Sequence, residues 1–82
     1  MNIAVEISLY PLNAGYLAPI KDFLVRLNQN PRLKIVTNPL STQIVGPYDE
    51  VFAALTQEIR GTFEKEHKAV FVMKVIGPWT EV

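Results

Sequence analysis

Three polar side chains on one predicted strand carry the most distinctive chemistry in this sequence. Residues Ile3–Leu12 read IAVEISLYPL, in which aliphatic residues alternate with other residue types. Alternation with a period of two is typical of a strand with two different faces. One face is aliphatic, and the other carries Glu6, Ser8 and Tyr10. Because a buried carboxylate is costly unless it is paired, and a phenol ring can stack on a cation, this face predicts a pocket for a flat, positively charged ligand.

A second polar group surrounds a predicted turn in the middle of the chain. Residues Thr37–Gly46 read TNPLSTQIVG and concentrate short donors and acceptors, among them Asn38, Ser41 and Thr42. Asparagine and serine often bond to the backbone in turns, which is sufficient to explain Asn38 and, in part, Ser41. The remaining groups are of the kind that orients a small heteroaromatic ring, so a ligand pocket is the second interpretation of this segment.

The polar face of the first strand also has an explanation that involves no ligand. This face could be hydrated, or it could lie in a subunit interface with Glu6 paired to Lys74. Lys74 lies on the last predicted strand, which we expect beside the first, so a cross-strand ion pair is reasonable. At the level of sequence both interpretations stay open.

The sequence contains few of the residue patterns that are typical of enzyme active sites. The chain has no cysteine, which excludes disulfides, thiolate metal sites and thiol nucleophiles. His67 is the only histidine, and its charged neighbours predict a solvent-exposed side chain. No metal ligands repeat at suitable spacing, and no glycine-rich phosphate loop is present. We therefore expect a protein that is not an enzyme, with a small enzyme that uses Glu6 as acid or base as the catalytic alternative.

Length and composition predict one small domain that spans residues 1–82. The chain has 82 residues, of which 49% are hydrophobic, and a formal net charge of zero. A chain of this length buries a modest core, and surplus apolar surface often serves oligomerisation. The balanced charge argues against binding to nucleic-acid phosphates or to an anionic membrane surface. Without a basic leader or a long apolar run, the expected location is the cytoplasm.

Hydrophobic periodicity predicts two helices and four strands. Apolar residues that recur every three to four positions indicate the helices, and β-branched runs between turn signals indicate strands. Gly61 costs about 1 kcal/mol relative to alanine inside a helix, so the second helix is expected to end or bend there. The predicted order is strand Ile3–Leu12, helix Leu17–Gln29, strands Leu33–Asn38 and Ser41–Gly46, helix Tyr48–Lys65 and strand Ala69–Ile76.

This order is the βαββαβ pattern of a ferredoxin-like α+β fold. Right-handed crossovers place both helices on one face of a four-stranded antiparallel sheet, with the first strand between the third and the fourth. The other face is then open, and Glu6, Ser8 and Tyr10 should point there. The last strand is apolar on both faces except at Lys74, which predicts that both faces are covered. The third strand lacks the aromatic residues with which such sheets bind RNA.

Three segments together resemble the small thiamine-binding, YkoF-like family. They are the VEISLYPL part of the first strand, the TN-x-x-ST-x-I-x-G hairpin that runs into YDEVFAAL, and AVFVMKVIG in the last strand. The resemblance covers nearly the whole chain and rests on the order and spacing of these segments. Leu40 stands where methionine is expected more often in relatives, a change that conserves side-chain volume.

The resemblance implies a ferredoxin-like domain that forms homodimers or homotetramers through its open sheet faces. It also implies binding of thiamine or its hydroxymethylpyrimidine moiety, and it implies no cofactor. Glu6 would be the partner of the ligand's charge, and Tyr10 would stack on the ligand. Hydrogen bonds to the pyrimidine would come from four other side chains, namely Ser8, Asn38, Ser41 and Thr42. The alternative is a homo-oligomeric interaction domain without a small ligand.

Overall fold

The computed structural model describes residues 1–66 and 68–80, which form four strands and two helices. The prediction for His67 lies outside the described residues. Every predicted element is present, and α2 and β4 have the predicted bounds. Within the described residues, neither helix combines the length and the apolar character needed to cross a membrane. The elements are β1 (Asn2–Pro11), α1 (Leu17–Leu27), β2 (Lys34–Thr37), β3 (Thr42–Pro47), α2 (Tyr48–Lys65) and β4 (Ala69–Ile76).

The strands form one antiparallel sheet in the order β2-β3-β1-β4, which confirms the ferredoxin-like topology. Strand β1 is therefore internal, as predicted. Ile7 of β1 lies opposite Thr42 of β3, and Glu6 lies opposite Lys74 of β4. Directly opposed residues share a face of the sheet, so the first pair points toward the helices and the second points to the face without helices.

The hydrophobic core lies between the helices and the aliphatic face of β1. Both helices contribute one apolar stripe, as their periodicity predicts. At one end of the core, the ring of Phe23 in α1 lies 5.1 Å from the ring of Phe71 in β4, measured between centroids. The buried hydrophobic residues are Ile3, Val5, Ile7, Phe23, Leu27, Ile44, Val51, Ala54 and Leu55.

Helix α1 ends at Leu27 rather than at the predicted Gln29, and asparagine side chains stabilise this end. Asn28 Nδ2 donates a hydrogen bond to the Leu24 carbonyl at 2.7 Å, and Asn30 Nδ2 donates to the Leu27 carbonyl at 2.8 Å. The last carbonyls of a helix have no complete set of partners within the helix, and these amides supply donors to them.

Helix α2 continues through Gly61 to Lys65, so of the end or bend expected near this glycine, the end does not occur. A β-carbon at position 61 would lie 2.6 Å from Nη1 of Arg26, well inside contact distance. The guanidinium of Arg26 occupies this space and is bound by Glu58 and Thr62 of the same helix. The glycine therefore allows the close approach of an arginine from α1.

Beyond Phe71, which packs on the core, strand β4 is exposed on both faces within one chain, contrary to the prediction that both are covered. Val72 and Ile76, on the face without helices, are 53% and 55% exposed. Met73 and Val75, on the helix side, are still 43% and 46% exposed. The reason is that β4 is an edge strand, while the helices pack mainly on each other and on the two central strands.

Candidate ligand site

Strand β1 extends beyond β3 at one end of the sheet, and this mismatch shapes the candidate site. The pairing of β1 with β3 ends at Ile7, which lies opposite Thr42. The pairing of β1 with β4 continues to Pro11, which lies opposite Ala69. Residues 8–11 of β1, called the β1 overhang below, are therefore paired on the side of β4, whereas no strand of the described residues lies beside them on the side of β3.

The hairpin turn between β2 and β3, residues 38–41, lies next to this unpaired edge. Asn38 organises the turn, because its Oδ1 accepts hydrogen bonds from the backbone N–H groups of Leu40 at 2.9 Å and Ser41 at 3.0 Å. The N–H of Asn38 donates in turn to the Ser41 carbonyl at 3.0 Å. This is the backbone role that turn chemistry predicts for Asn38, and its contact with a ligand stays a prediction.

A cavity of about 370 Å³ lies between the β1 overhang, the hairpin turn and the middle of α1. Its volume and its mainly apolar lining with a few polar groups are typical of small-molecule pockets. Helix α1 and the residue before it contribute Tyr16, Ile20, Phe23 and Leu24. Five of the six predicted ligand residues also line the cavity, namely Ser8, Tyr10, Asn38, Ser41 and Thr42.

The contribution of α1 to the cavity was missed from the sequence, where its apolar residues were assigned to the core alone. Phe23 is buried, but Ile20 is only half-buried, because the cavity begins where the sheet beneath the helix ends. Tyr16, just before the helix, is 58% exposed. The available signal was the unequal length of the first and third predicted strands, which leaves the start of the helix stripe without a sheet to pack on.

The hydroxyl groups at the cavity differ in how firmly they are held. Thr42 is 5% exposed, and its Oγ1 lies 3.0 Å from Oγ1 of Thr37, so the two hydroxyls bond to each other. Ser8 donates to the Leu40 carbonyl at 3.2 Å, which ties the overhang to the hairpin turn. The Tyr10 side chain is 53% exposed. Alternation along the strands places Thr42 on the helix side of the sheet and Ser8 and Tyr10 on the other side.

Glu6 lies on the face without helices, as predicted, but it is not among the residues that line the cavity. Its Oε2 accepts a hydrogen bond from Ser41 Oγ at 3.1 Å, and its Oε1 lies 3.8 Å from Lys74 Nζ. The expected cross-strand pair with Lys74 is thus confirmed. Because the side chains of Glu6 and Lys74 are 45% and 84% exposed, this is a surface ion pair of small net energy. Through Ser41, the carboxylate is one hydrogen bond away from the cavity lining.

The cavity therefore offers hydroxyl, amide, backbone and aromatic groups to a ligand. Such groups bind a small flat molecule by shape and by directed hydrogen bonds. In residues 1–66 and 68–80, no three histidine, aspartate or glutamate side chains lie together in a way that could hold a metal ion.

Several solved structures superpose on nearly the whole chain. A protein from Streptococcus pneumoniae has a TM-score of 0.86 at 18% identity, covering 96% of this chain and 89% of that one. A hypothetical protein from Methanocaldococcus jannascii has a TM-score of 0.82 at 20% identity, with coverage of 99% and 84%. A protein from Thermotoga maritima, named "putative thiamine biosynthesis/salvage protein", has a TM-score of 0.81 at 14% identity, with coverage of 92% and 82%. At these identities the likeness shows the fold.

Among curated proteins, no sequence matches this chain significantly. The model of the YKOF-related family, in contrast, matches residues 2–76, which contain all six elements of the fold. A match of this extent covers both the β1 overhang and the hairpin turn, and the chain belongs to the YKOF-related family.

Proposed function

We propose that this protein binds thiamine or its hydroxymethylpyrimidine moiety in the cavity at the end of the sheet, in the cytoplasm and without chemical turnover. The observation that carries the proposal is that five of the six residues predicted for a pyrimidine site line one cavity. Two comparisons support the same ligand class. They are the membership of the YKOF-related family and the fold shared with the Thermotoga maritima protein, whose name refers to thiamine.

A substituted pyrimidine suits the cavity in shape and polarity. Its flat ring has two apolar faces, which match walls formed by Tyr16, Ile20 and Phe23. The nitrogen atoms around its edge need donors and acceptors, which hydroxyl groups such as that of Ser41 supply. The thiazolium ring of thiamine is a permanent cation, and we place it on the side of Glu6, whose carboxylate is bonded to Ser41.

The first experiment is a thermal melt of the whole chain with thiamine and, separately, with hydroxymethylpyrimidine over a concentration series. A ligand that binds only the folded state stabilises it by about 2.7 kcal/mol at a hundredfold excess over Kd. For a domain of this size, we expect Tm to rise by roughly ten degrees or more. No rise with either compound at millimolar concentration would overturn the proposal.

A variant with a blocked cavity tests where the ligand binds, and a matched variant outside the cavity is its control. Ile20→Trp places a large ring inside the cavity wall, so we expect the ligand-dependent rise in Tm to disappear. Val25→Trp puts the same ring on the exposed side of the same helix, where Val25 is 61% exposed, and should leave the rise unchanged. An equal response in both variants would place the ligand elsewhere.

The charge of the ligand tests the role of Glu6. Thiamine carries the thiazolium cation and hydroxymethylpyrimidine does not, so Glu6→Gln should weaken thiamine binding more than pyrimidine binding. The double variant Glu6→Gln, Asn38→Ala should weaken both ligands, because it also disturbs the hairpin turn. Binding of thiamine to the double variant with the parent's affinity would contradict the assigned site.

A second candidate function is assembly into a homodimer or homotetramer without a small ligand. It is favoured by apolar side chains on the face without helices, because exposed apolar patches often mark interfaces between proteins. Sedimentation of the parent and of Val72→Glu separates the cases, because a charge on this face should dissociate an oligomer that uses it. The exposed apolar residues are Tyr10, Val36, Val70, Val72 and Ile76.

A further inference from the structure

We propose that the backbone N–H and C=O of Leu9 form hydrogen bonds with one edge of the ligand. The site therefore selects heterocycles in which a ring nitrogen lies next to an exocyclic amino group. This inference rests on the proposed function and makes it more specific. It assigns the choice of ligand to an unpaired strand edge, in addition to the polar side chains of the cavity.

The direction of the Leu9 backbone groups follows from the ladder of hydrogen bonds. The N–H of Leu12 donates to the Lys68 carbonyl at 3.1 Å, so the backbone N–H and C=O of Leu12 point toward β4. The N–H of Tyr48 donates to the Met1 carbonyl at 2.9 Å, so the backbone carbonyl of Met1 points toward β3. In an antiparallel strand, the backbone N–H and C=O of one residue point to the same neighbouring strand, and those of the next residue point to the strand on the other side. With an unbroken register, the N–H and C=O of Leu9 point to the side of β3.

Among residues 1–66 and 68–80, no strand pairs with Leu9 on that side. The register would place Leu40 opposite Leu9, but β3 begins only at Thr42. The backbone of Leu40 is engaged elsewhere, because its N–H donates to Asn38 Oδ1 and its carbonyl accepts from Ser8 Oγ. Leu9 itself lines the cavity, so one donor and one acceptor of the main chain are available at the cavity wall.

The same edge is a poor template for a peptide strand. The next residue whose backbone groups point to the side of β3 is Pro11, which has no N–H to continue a ladder. On the other side of Leu9, Ile7 is already paired with Thr42. One donor, the Leu9 N–H, therefore remains with the carbonyls of Leu9 and Pro11, which is too little for strand addition but sufficient for a ring that makes two hydrogen bonds.

A 4-aminopyrimidine has the complementary pattern along one edge. Its ring nitrogen accepts the hydrogen bond from the Leu9 N–H, and its amino group donates to the Leu9 carbonyl. The ring then continues the plane of the sheet, with one face toward the α1 residues Ile20 and Phe23, which line the cavity. Hydroxymethylpyrimidine and thiamine both contain this edge.

Ligand analogues test the inference without a change in the protein. We compare 4-amino-2-methylpyrimidine with 2-methylpyrimidine and 4-dimethylamino-2-methylpyrimidine by calorimetric titration. Removal of the amino donor, or its dimethylation, should weaken binding about tenfold, as expected for a lost hydrogen bond that leaves the Leu9 carbonyl without its partner. Equal affinities for the three compounds would overturn the proposed hydrogen bonds between the Leu9 backbone and the ligand.

A pair of variants tests the protein side. Leu9→Pro removes the N–H that points away from the β4 ladder, and proline is tolerated where the ladder does not need the N–H. Leu9→Ala keeps the N–H and similarly shortens the side chain. We expect Leu9→Pro to bind the aminopyrimidine about tenfold more weakly than Leu9→Ala. Amide exchange gives a readout that requires no variant, because the Leu9 N–H should exchange freely in the parent and become protected with the ligand.

The outcomes separate the two proposals. If no pyrimidine binds to the parent, the proposed function fails and this inference fails with it. If the aminopyrimidine binds, but Leu9→Pro and Leu9→Ala bind it equally and the Leu9 amide gains no protection, only this inference fails. A selective loss in Leu9→Pro, together with protection of the Leu9 amide, would support it.

Discussion

Two polar clusters contain similar side chains but differ in how completely their groups are paired. The Arg26 cluster lies between α1 and α2. Its guanidinium contacts Glu58 Oε1 at 2.7 Å and Thr62 Oγ1 at 2.8 Å. The third nitrogen donates to Asp22 Oδ2 at 3.0 Å, and Lys65 Nζ donates to the same carboxylate at 3.2 Å. Glu58 and Thr62 are both buried.

The Glu6 cluster lies on the opposite face of the sheet and consists of Glu6, Ser41 and Lys74. Its ion pair is 3.8 Å long and largely exposed. Where the Arg26 cluster joins two helices, the Glu6 cluster lies beside a cavity and an unpaired strand edge. The comparison teaches that the same residue types stabilise the fold where their groups are buried and fully paired. Where the side chains are exposed, as at Glu6 and Lys74, their pairing contributes little to stability.

The largest effect is expected from Arg26→Met, which leaves Glu58 without its charge partner. Breaking one side of a buried ion pair costs about 3–5 kcal/mol in the free energy of unfolding. We expect urea denaturation to show a loss in this range, and Arg60→Met on the exposed face of α2 to lose little. The double variant Arg26→Met, Glu58→Met should recover much of the loss. No recovery would mean that packing of the arginine stem, and not charge pairing, dominates.

Gly61→Ala tests the close approach between the helices. In an ordinary helix this change stabilises by about 1 kcal/mol. Here the new β-carbon displaces the Arg26 guanidinium, so we expect a loss of about 1 kcal/mol from weakened hydrogen bonds. In an Arg26→Ala background the same change should stabilise, because the obstacle is gone. A double-mutant cycle of unfolding free energies measures this change of sign, and additive effects would contradict it.

The pH dependence of the Arg26 cluster centres on Asp22. Burial alone would raise the pKa of the Asp22 carboxyl, but hydrogen bonds and charge from Arg26 and Lys65 outweigh burial and hold this pKa below its usual value. Because the folded-state pKa is lowered, Asp22 stabilises the protein above the unfolded pKa of about 4, and this contribution disappears as the pH falls through the folded pKa. Urea midpoints should therefore fall more steeply on acidification in the parent than in Asp22→Asn.

The smallest effect is expected in the Glu6 cluster. Lys74→Ala removes an exposed ion pair, so the free energy of unfolding should change by less than about 1 kcal/mol. Chemical denaturation at two protein concentrations measures it. A loss above about 2 kcal/mol that depends on concentration would show that the face is buried between subunits, where a broken charge pair costs more.

Most of the fold could be predicted from the sequence because its signals are local and consistent. The alternation in β1, the stripe of α2 and the turn at Asn38 each specify an element, and the order of the elements specifies the topology. Gly61 could not be interpreted correctly from local propensity, because the reason for it lies in Arg26 of another helix. The exposure of β4 also depends on where the helices sit over the sheet, which no single segment encodes.

The candidate site was predictable in part. Polar residues that cluster in sequence, such as Ser41 and Thr42, were found because more short polar side chains surround this turn than turn chemistry requires. The walls from α1 were missed, because Ile20 has the pattern of a core residue. The Leu9 backbone groups have no side-chain signal at all and emerge only from the difference in length between two paired strands.

The length of the hairpin between β2 and β3 has a consequence for how this site could be lost. The hairpin closes at the pair of Thr37 and Thr42, two residues short of the position opposite Leu9. Two more residues on each of its strands would bring a backbone alongside Leu9 and seal the edge with ordinary ladder bonds. An insertion of about four residues, rather than any substitution, is therefore the most direct route from this open edge at Leu9 to a completed sheet.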